Sequence, residues 1–200
     1  GTLWNTFSFF TTYASLNSFD PRDADIPSPA ERSDMDRWIL SRLEQTTSDV
    51  TTALEGYEPL PAATALSHFI DDLSNWYVRR SRRRFWRTDP TAPRSDSLAA
   101  HATLLEALQR VSLLVAPYTP FVADFMYREL HGSEAFDSVH LADWPVAHGA
   151  QIDTDLEESM AVARSLTSLG RAARADGGVK VRQPLARALV FLPPGSAHPP

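Results

Sequence analysis

The chain has 200 residues, and its 19 basic and 25 acidic residues give a formal net charge of −6 at pH 7. This length predicts one domain, or one domain with pieces of its neighbours, and a hydrophobic content of 43% is enough for a sizeable core. The absence of cysteine excludes disulfides and thiolate metal sites. No apolar run approaches the ~20 residues of a membrane span, and no secretory leader is visible. We therefore expect a cytoplasmic protein with no membrane partner.

The beginning of the chain predicts two helices joined by a linker. Residues 3–16 are apolar and aromatic at helical spacing. Residues 20–29 contain three prolines among several charged residues, which is typical of a linker. Ser33 or Asp34 can cap a second helix, which is predicted to end near Gly56.

Three further helices are predicted in the middle of the chain. Prolines open a long helix over residues 59–87, which Asp89 and Pro90 end. A second helix covers residues 94–116. After two more prolines interrupt the pattern, a short helix continues to Leu130, and a mostly irregular stretch follows it.

The C-terminal part predicts one more helix and a short β segment. The helix begins at Thr154, where Glu157 completes a capping box, and it ends at the glycine pair 177–178. Residues 179–192 alternate or run apolar, which is typical of a strand, and the tail from Pro193 is expected to be disordered. The predicted fold class is all-α, an antiparallel helical bundle with a short β stub at the C-terminal end.

One segment of the long helix is strongly basic. Residues 75–87 contain six arginines and four aromatic residues, in a chain whose net charge is negative. A basic, aromatic-rich helix on an acidic body indicates a polyanionic partner that binds at one defined place. The alternative is a solvated charged face with aromatic residues packed beneath it.

A uniform helical wheel divides the arginines of this segment into two sets. At 100° per residue, Arg80 and Arg84 fall on the apolar face, where a partly buried arginine must pair with carboxylates of neighbouring helices. We therefore predict that these two are structural. Arg79, Arg82 and Arg83 fall on the opposite face and are candidates for contacts to phosphate groups.

Five other residues complete the set of candidate RNA contacts. Trp86 either offers a stacking surface to an unpaired base or packs under the loop that follows it. Asn75 either reads a base edge or joins a side-chain network, and Arg87 ends the basic segment. On a strand, Lys180 and Arg182 would share one side, where they either line an RNA path or lie at a junction with a further region.

No pattern in the chain indicates catalysis or metal binding. The eight glycines form no phosphate-binding loop, and no nucleophile elbow occurs. The six histidines have no partner histidine at the spacing of a helical ligand pair. We therefore predict no catalytic residue and no metal ligand.

Six motifs in a fixed order carry a resemblance to a known family. Besides the segment 75–87, they are LWNT at 3–6, DRWILSRL at 36–43, LVAPYTPF at 114–121, SVHLADWP at 138–145 and VKVRQPL at 179–185. Together they resemble the anticodon-binding domain of isoleucyl-tRNA synthetases, which are class I aminoacyl-tRNA synthetases. The DRW and WP elements also occur in the valyl and leucyl relatives. The arginine-rich segment and VKVRQPL are typical of the isoleucyl branch.

The resemblance implies a module that binds the anticodon stem-loop of tRNA(Ile) within an isoleucine–tRNA ligase. Its partners would be tRNA(Ile) and the catalytic domain of the same parent chain, with no DNA partner. The parent would use ATP with magnesium to attach isoleucine to tRNA. Because both class I nucleotide-binding motifs are absent, this chain is expected to hold no cofactor and to be inactive alone.

The resemblance also implies an organisation of the chain. Residues 1–30 would connect to the catalytic body, residues 31–177 would form the helical anticodon-binding domain, and residues 178–200 would begin a C-terminal junction region. Because the first residue is Gly1, we expect a fragment of a longer enzyme. The alternatives are the same domain of a valyl or leucyl enzyme, or a helical protein-interaction module whose basic helix meets an acidic partner.

Overall fold

The computed structural model describes residues 1–86, 93–132 and 137–191, which divide into two units. The first unit is Gly1–Ile152, and the second begins at Asp153. The division predicted at residues 30 and 177 stays a prediction. Arg87 and the tail from Pro193 lie outside the described residues.

Helices dominate both units, and the described residues contain no strand. The helices of the first unit are α1 (Thr2–Leu16), α2 (Asp34–Glu55), α3 (Pro59–Asp71), α4 (Arg79–Phe85), α5 (Arg94–Leu114) and α6 (Pro120–His131). Short 3-10 turns lie at Pro29–Glu31, Val139–Leu141 and Gly149–Gln151. The second unit contains α7 (Thr154–Asp176). The predicted all-α bundle is therefore confirmed.

Helix α2 lies at the centre of the first unit and contacts both α3 and α5. Its inward side carries Trp38, Ile39, Leu43 and Val50, all fully buried. Helix α5 in turn packs against α6, and α1 lies against α5 and α3. Burial of these apolar faces is the main driving force for assembling the bundle.

Local sequence signals place the helix ends. Ser33 caps α2 through a capping box with Asp36, in which each side chain bonds the backbone of the other. At α7 the cap differs from the prediction, because the side chain of Asp153 accepts a bond of 3.0 Å from the N–H of Leu156. An aspartate one residue earlier therefore takes the role that we predicted for Thr154.

Between α3 and α4 the helix continues, but residues Asp72–Val78 are wound as a π-helix. A π turn holds about one residue more than an α turn, so it shifts every later residue around the helix axis. Up to Leu73 the buried positions follow ordinary α spacing. Beyond it, the buried positions are Tyr77, Val78, Ser81 and Phe85, whereas Trp76 and Arg84 are half-buried and Arg80 is exposed.

This shift corrects the prediction for Arg80. The uniform wheel places Arg80 in the apolar seam, but the structure exposes it and buries Ser81 instead. The Arg80 guanidinium carbon lies 5.1 Å from the centroid of the Trp76 ring. Arg80 is therefore a surface cation held against an aromatic ring, with no structural carboxylate partner among the described residues.

The predicted β stub is also wrong for the residues that the structure describes. Residues 179–191 form turns and irregular backbone, and the N–H of Gln183 bonds the carbonyl of Lys180 at 3.0 Å. A strand exists only when a neighbouring strand accepts and donates its backbone bonds. The described residues supply no such neighbour, so apolar alternation alone does not make a strand here.

A buried carboxylate joins α2 to the helical run that contains α4. Asp36 is fully buried, and both of its oxygens accept bonds from Arg84, at 2.8 and 2.7 Å. The hydroxyl of Tyr77 donates to Asp36 at 2.6 Å, and that of Ser33 at 2.7 Å. Arg84 also donates to the Asp96 carboxylate at 2.9 Å, which connects α5. The prediction that Arg84 pairs with carboxylates of neighbouring helices is confirmed.

The charges of this group are mutually stabilised. Burial raises the pKa of Asp36, but the hydrogen bonds and positive charge of Arg84, with the bonds from Tyr77 and Ser33, outweigh it and leave the pKa lowered. Burial and the negative charge of Asp36 raise the pKa of Tyr77 well above its usual value. At neutral pH the group is therefore an ion pair with a neutral tyrosine donor.

The lowered pKa of Asp36 predicts a loss of stability in acid. Its contribution is complete above its ordinary pKa of 3.8 and is lost as the pH falls through the lower value of the folded state. We expect Asp36→Asn to lower the free energy of unfolding by about 3 kcal/mol at neutral pH, because Arg84 then loses the buried one of its two carboxylate partners. The difference from the native chain should narrow below about pH 4. Urea unfolding at a series of pH values measures it, and a constant difference would contradict the assignment.

Candidate nucleic-acid interface

The outward side of α4 is a continuous basic face. It consists of Arg79, Arg80, Arg82 and Arg83, all exposed. We call these four residues the arginine face. In the described part of the chain, none of them forms an ion pair with a carboxylate. Four exposed guanidinium groups within two helical turns create a local positive potential on a chain of net negative charge.

The local winding explains why these arginines share one side. After the π segment, Ser81, Arg84 and Phe85 occupy the positions that face the bundle. The remaining arginines of α4 must then point to solvent. Arg79, Arg82 and Arg83 lie on the exposed side, where the wheel places them, and Arg80 adds a fourth cation to the face.

The end of α4 is anchored by residues that the sequence analysis missed. The side-chain amide of Asn17, at the end of α1, donates to the carbonyl of Phe85 at 2.8 Å. The same amide lies 3.2 Å from Nε2 of His101, a buried residue of α5. Phe85 is fully buried, and its ring packs edge-on against Phe9 at 5.1 Å. These contacts fix the arginine face relative to the bundle.

Two polar or aromatic candidates lie next to the arginine face. Trp86 follows α4 and keeps 42% of its surface exposed, so part of its ring is available for stacking. Asn75 is exposed, but its side-chain amide donates to the Asp71 carboxylate on the same helical run. Of the two interpretations of Asn75, the structure therefore contains the side-chain network.

The other candidates, Lys180 and Arg182, lie in the second unit. They belong to a turn that runs from Lys180 to Gln183, and both side chains are exposed. Their positions follow from this turn and not from the predicted strand. Among the described residues, no ion pair neutralises either cation.

The described residues contain no group of three or more histidine, aspartate or glutamate side chains that could hold a metal ion. Within the same ranges, every helix is too short or too polar to span a bilayer. The arginine face, Lys180 and Arg182 offer guanidinium and ammonium groups for anion recognition, and Trp86 adds a partly open indole.

Comparison with known proteins finds similarity to one domain of tRNA ligases. Residues 36–190 match a family model described as the anticodon-binding domain of tRNA ligase. The chain is 51% identical over 185 residues to an isoleucine–tRNA ligase of Deinococcus radiodurans, 50% over 194 residues to one of Thermobifida fusca and 48% over 196 residues to one of Thermus thermophilus. These matches cover 92–96% of this chain but only 16–18% of the length of the relatives.

Arg80 and Arg84, which the uniform wheel places on the same face, should differ in how much their removal lowers the free energy of unfolding. We expect Arg84→Ala to lower the free energy of unfolding by about 3 kcal/mol or more, because it leaves the buried Asp36 carboxylate without its cation. Arg80→Ala, four residues earlier on the same helix, should change it by no more than ~0.5 kcal/mol, because Arg80 lies on the surface. Urea unfolding at neutral pH compares them. Equal losses in both variants would contradict the register that the π segment sets.

Proposed function

Because the chain belongs to the family of anticodon-binding domains of tRNA ligases, we propose that it binds the anticodon stem-loop of tRNA(Ile). The observation that carries this proposal is the arginine face, four exposed cations without a carboxylate partner among the described residues, on a chain of net charge −6. The phosphates of RNA are anions that such a face can bind, because each contact releases condensed counterions. The relatives support the isoleucine branch, since they are named isoleucine–tRNA ligases.

The two kinds of side chain would divide the work of recognition. Arginines of the face would contact phosphates and set the orientation of the stem-loop, which carries no sequence information by itself. Trp86 would stack on an unpaired base of the loop, and stacking on an aromatic ring tolerates any base. Arg87 and Asn75 stay candidates for further contacts, as do Lys180 and Arg182.

The activity of a parent enzyme follows from the same premise. We propose that the parent chain attaches isoleucine to tRNA(Ile) in the cytoplasm, using ATP with magnesium bound by its catalytic domain. The chain described here would contribute binding and orientation of the tRNA. Holding the anticodon arm in a fixed position gives the terminal ribose a defined position relative to the catalytic domain, and such positioning accelerates a bimolecular step.

The rival proposal is a helical protein-interaction module whose arginine face meets an acidic partner. Both proposals use the same cations, so affinity for a polyanion does not separate them. Discrimination between tRNAs does, because an interface for an acidic protein has no reason to prefer tRNA(Ile) over another tRNA of equal charge.

Removing three cations of the arginine face should weaken tRNA binding without unfolding the chain. We expect Arg79→Ala, Arg82→Ala and Arg83→Ala together to reduce the slope of log affinity against log salt by about 2, since each lost contact to single-stranded phosphate removes about 0.7. The melting temperature should stay nearly unchanged, because surface substitutions usually cost no more than ~0.5 kcal/mol each. Titrations of tRNA(Ile) and a non-cognate tRNA at several salt concentrations measure both affinity and preference.

A matched control separates a local contact from the general effect of charge. Arg22→Ala, Arg37→Ala and Arg128→Ala together remove three charges from side chains elsewhere in the first unit that are 40–82% exposed. This variant should retain the salt slope of the native chain. If both triple variants lose affinity equally, or if the native chain binds both tRNAs equally at every salt concentration, the protein-interaction proposal is favoured.

A further inference from the structure

The second unit has its charges separated along the chain. Its acidic residues lie mainly at the beginning of α7, which Asp155 and Glu157 open. From residue 171 to residue 191, by contrast, there are five basic residues and one acidic residue. The basic residues are Arg171, Arg174, Lys180, Arg182 and Arg187. The end of this unit is thus a second basic region, separate in sequence from the arginine face.

Within this region, Arg174 brackets the turn that presents Lys180 and Arg182. Its carbonyl accepts a bond of 2.8 Å from the N–H of Val179, at the beginning of the turn. Its guanidinium donates through Nη1 at 3.0 Å and Nη2 at 2.6 Å to the carbonyl of Gln183, at the end. The three residues between these two attachments, Lys180 to Arg182, are exposed, and Val181 has 73% of its surface exposed.

The preceding glycines allow this reversal of direction. Gly177 caps α7, and Gly178 has a φ of 65°, a left-handed conformation that L side chains rarely adopt. The chain therefore leaves α7 and folds back at once, which brings Gln183 within reach of the Arg174 side chain on the last turn of the helix.

We propose that the turn 180–183 is a second RNA-backbone contact and that Arg174 is the positioning residue that holds it in its binding conformation. This inference rests on the proposed function, since it takes the same tRNA as the ligand. In this proposal Arg174 supports the turn and does not contact RNA: one N–H of each terminal nitrogen donates to the carbonyl of Gln183, and the side chain is half-buried. Lys180 and Arg182 are the contacts.

The physical gain is a lower entropic cost of binding. A free segment of this kind would lose backbone and side-chain freedom when it docks on RNA. The bonds from Arg174 order the turn before RNA binds. A smaller loss of conformational entropy therefore opposes the attraction between the cations and phosphate. Lysine cannot replace Arg174 in this role, because an ammonium group lacks the planar pair of donors that the guanidinium directs at the carbonyl.

Lys180 provides a direct test, because it is the only lysine in the chain. An amine-reactive acylating reagent therefore modifies Lys180 and the α-amino group of Gly1, and the latter serves as an internal reference. We expect saturating tRNA(Ile) to slow acylation of Lys180 relative to Gly1, as measured by mass spectrometry of the 200-residue chain. In Arg174→Ala this protection should be lost or much reduced. Full protection of Lys180 in Arg174→Ala would overturn the positioning role.

A double-mutant cycle in tRNA affinity separates positioning from direct contact. The pair Lys180→Ala and Arg182→Ala should reduce the salt slope by about 1.4, since two phosphate contacts are lost. Arg174→Ala alone should lower tRNA affinity, yet add almost nothing to the pair variant. Arg174→Lys should fail to restore affinity. Additive losses, or rescue by lysine, would show that Arg174 contacts RNA through its charge and would overturn the proposal.

The control is Arg171→Ala, an exposed arginine on α7 one turn before Arg174. It removes the same charge without touching the turn, so Lys180 protection should persist. Failure of this inference is distinguishable from failure of the proposed function. If tRNA(Ile) binds and depends on the arginine face while Lys180 stays fully reactive, only the second contact is wrong. If tRNA(Ile) binds no better than other tRNAs, or an acidic polypeptide protects Lys180 equally, the proposed function is wrong as well.

Discussion

The ion pair between Asp36 and Arg84 is the constraint on which the arginine-rich helix depends. An isolated buried carboxylate would be very unfavourable, and this one is tolerated because a guanidinium and two hydroxyl groups satisfy both of its oxygens. The pair crosses from α2 to α4, and a further bond from Arg84 reaches Asp96 on α5. One arginine of the basic segment therefore fixes the orientation of the helix, and the orientation decides where the other arginines point.

The π segment is the second determinant of that orientation. Without the extra residue in its turn, an α-helical run that buries Leu73 would also turn Arg80 toward the bundle. With it, the buried position passes to Ser81, a small residue, and Arg80 joins the surface. The π segment Asp72–Val78 packs against α1 and α2, and these contacts are distant in sequence. A uniform wheel cannot anticipate it, because the sequence of this segment contains neither proline nor glycine.

What the sequence predicts well is what local physics decides. The beginning of α2 at a serine cap, the prolines that open α3 and α6, and the glycines after α7 all follow from preferences of one or two residues. The β stub fails because a strand depends on a partner elsewhere in the chain. Asn17 is missed in the sequence analysis for a similar reason, because its side chain bonds a carbonyl that is 68 residues away in the chain. The bond of Arg174 cannot be predicted from charge patterns, because its acceptor is a backbone carbonyl and not a carboxylate.

The separation of buried and exposed arginines also has a consequence for energy. Like charges three and four residues apart destabilise a helix, and the arginine face places Arg79 near Arg82 and Arg83 with no carboxylate among the described residues to offset them. Arg80 relieves part of this repulsion by lying over Trp76, but the ring carries no net charge. The repulsion among these arginines therefore destabilises the folded chain slightly. The packing of α2 and the ion pair of Asp36 with Arg84 offset this loss. A polyanion that binds there removes the repulsion, so the same residues that weaken the free helix strengthen the complex.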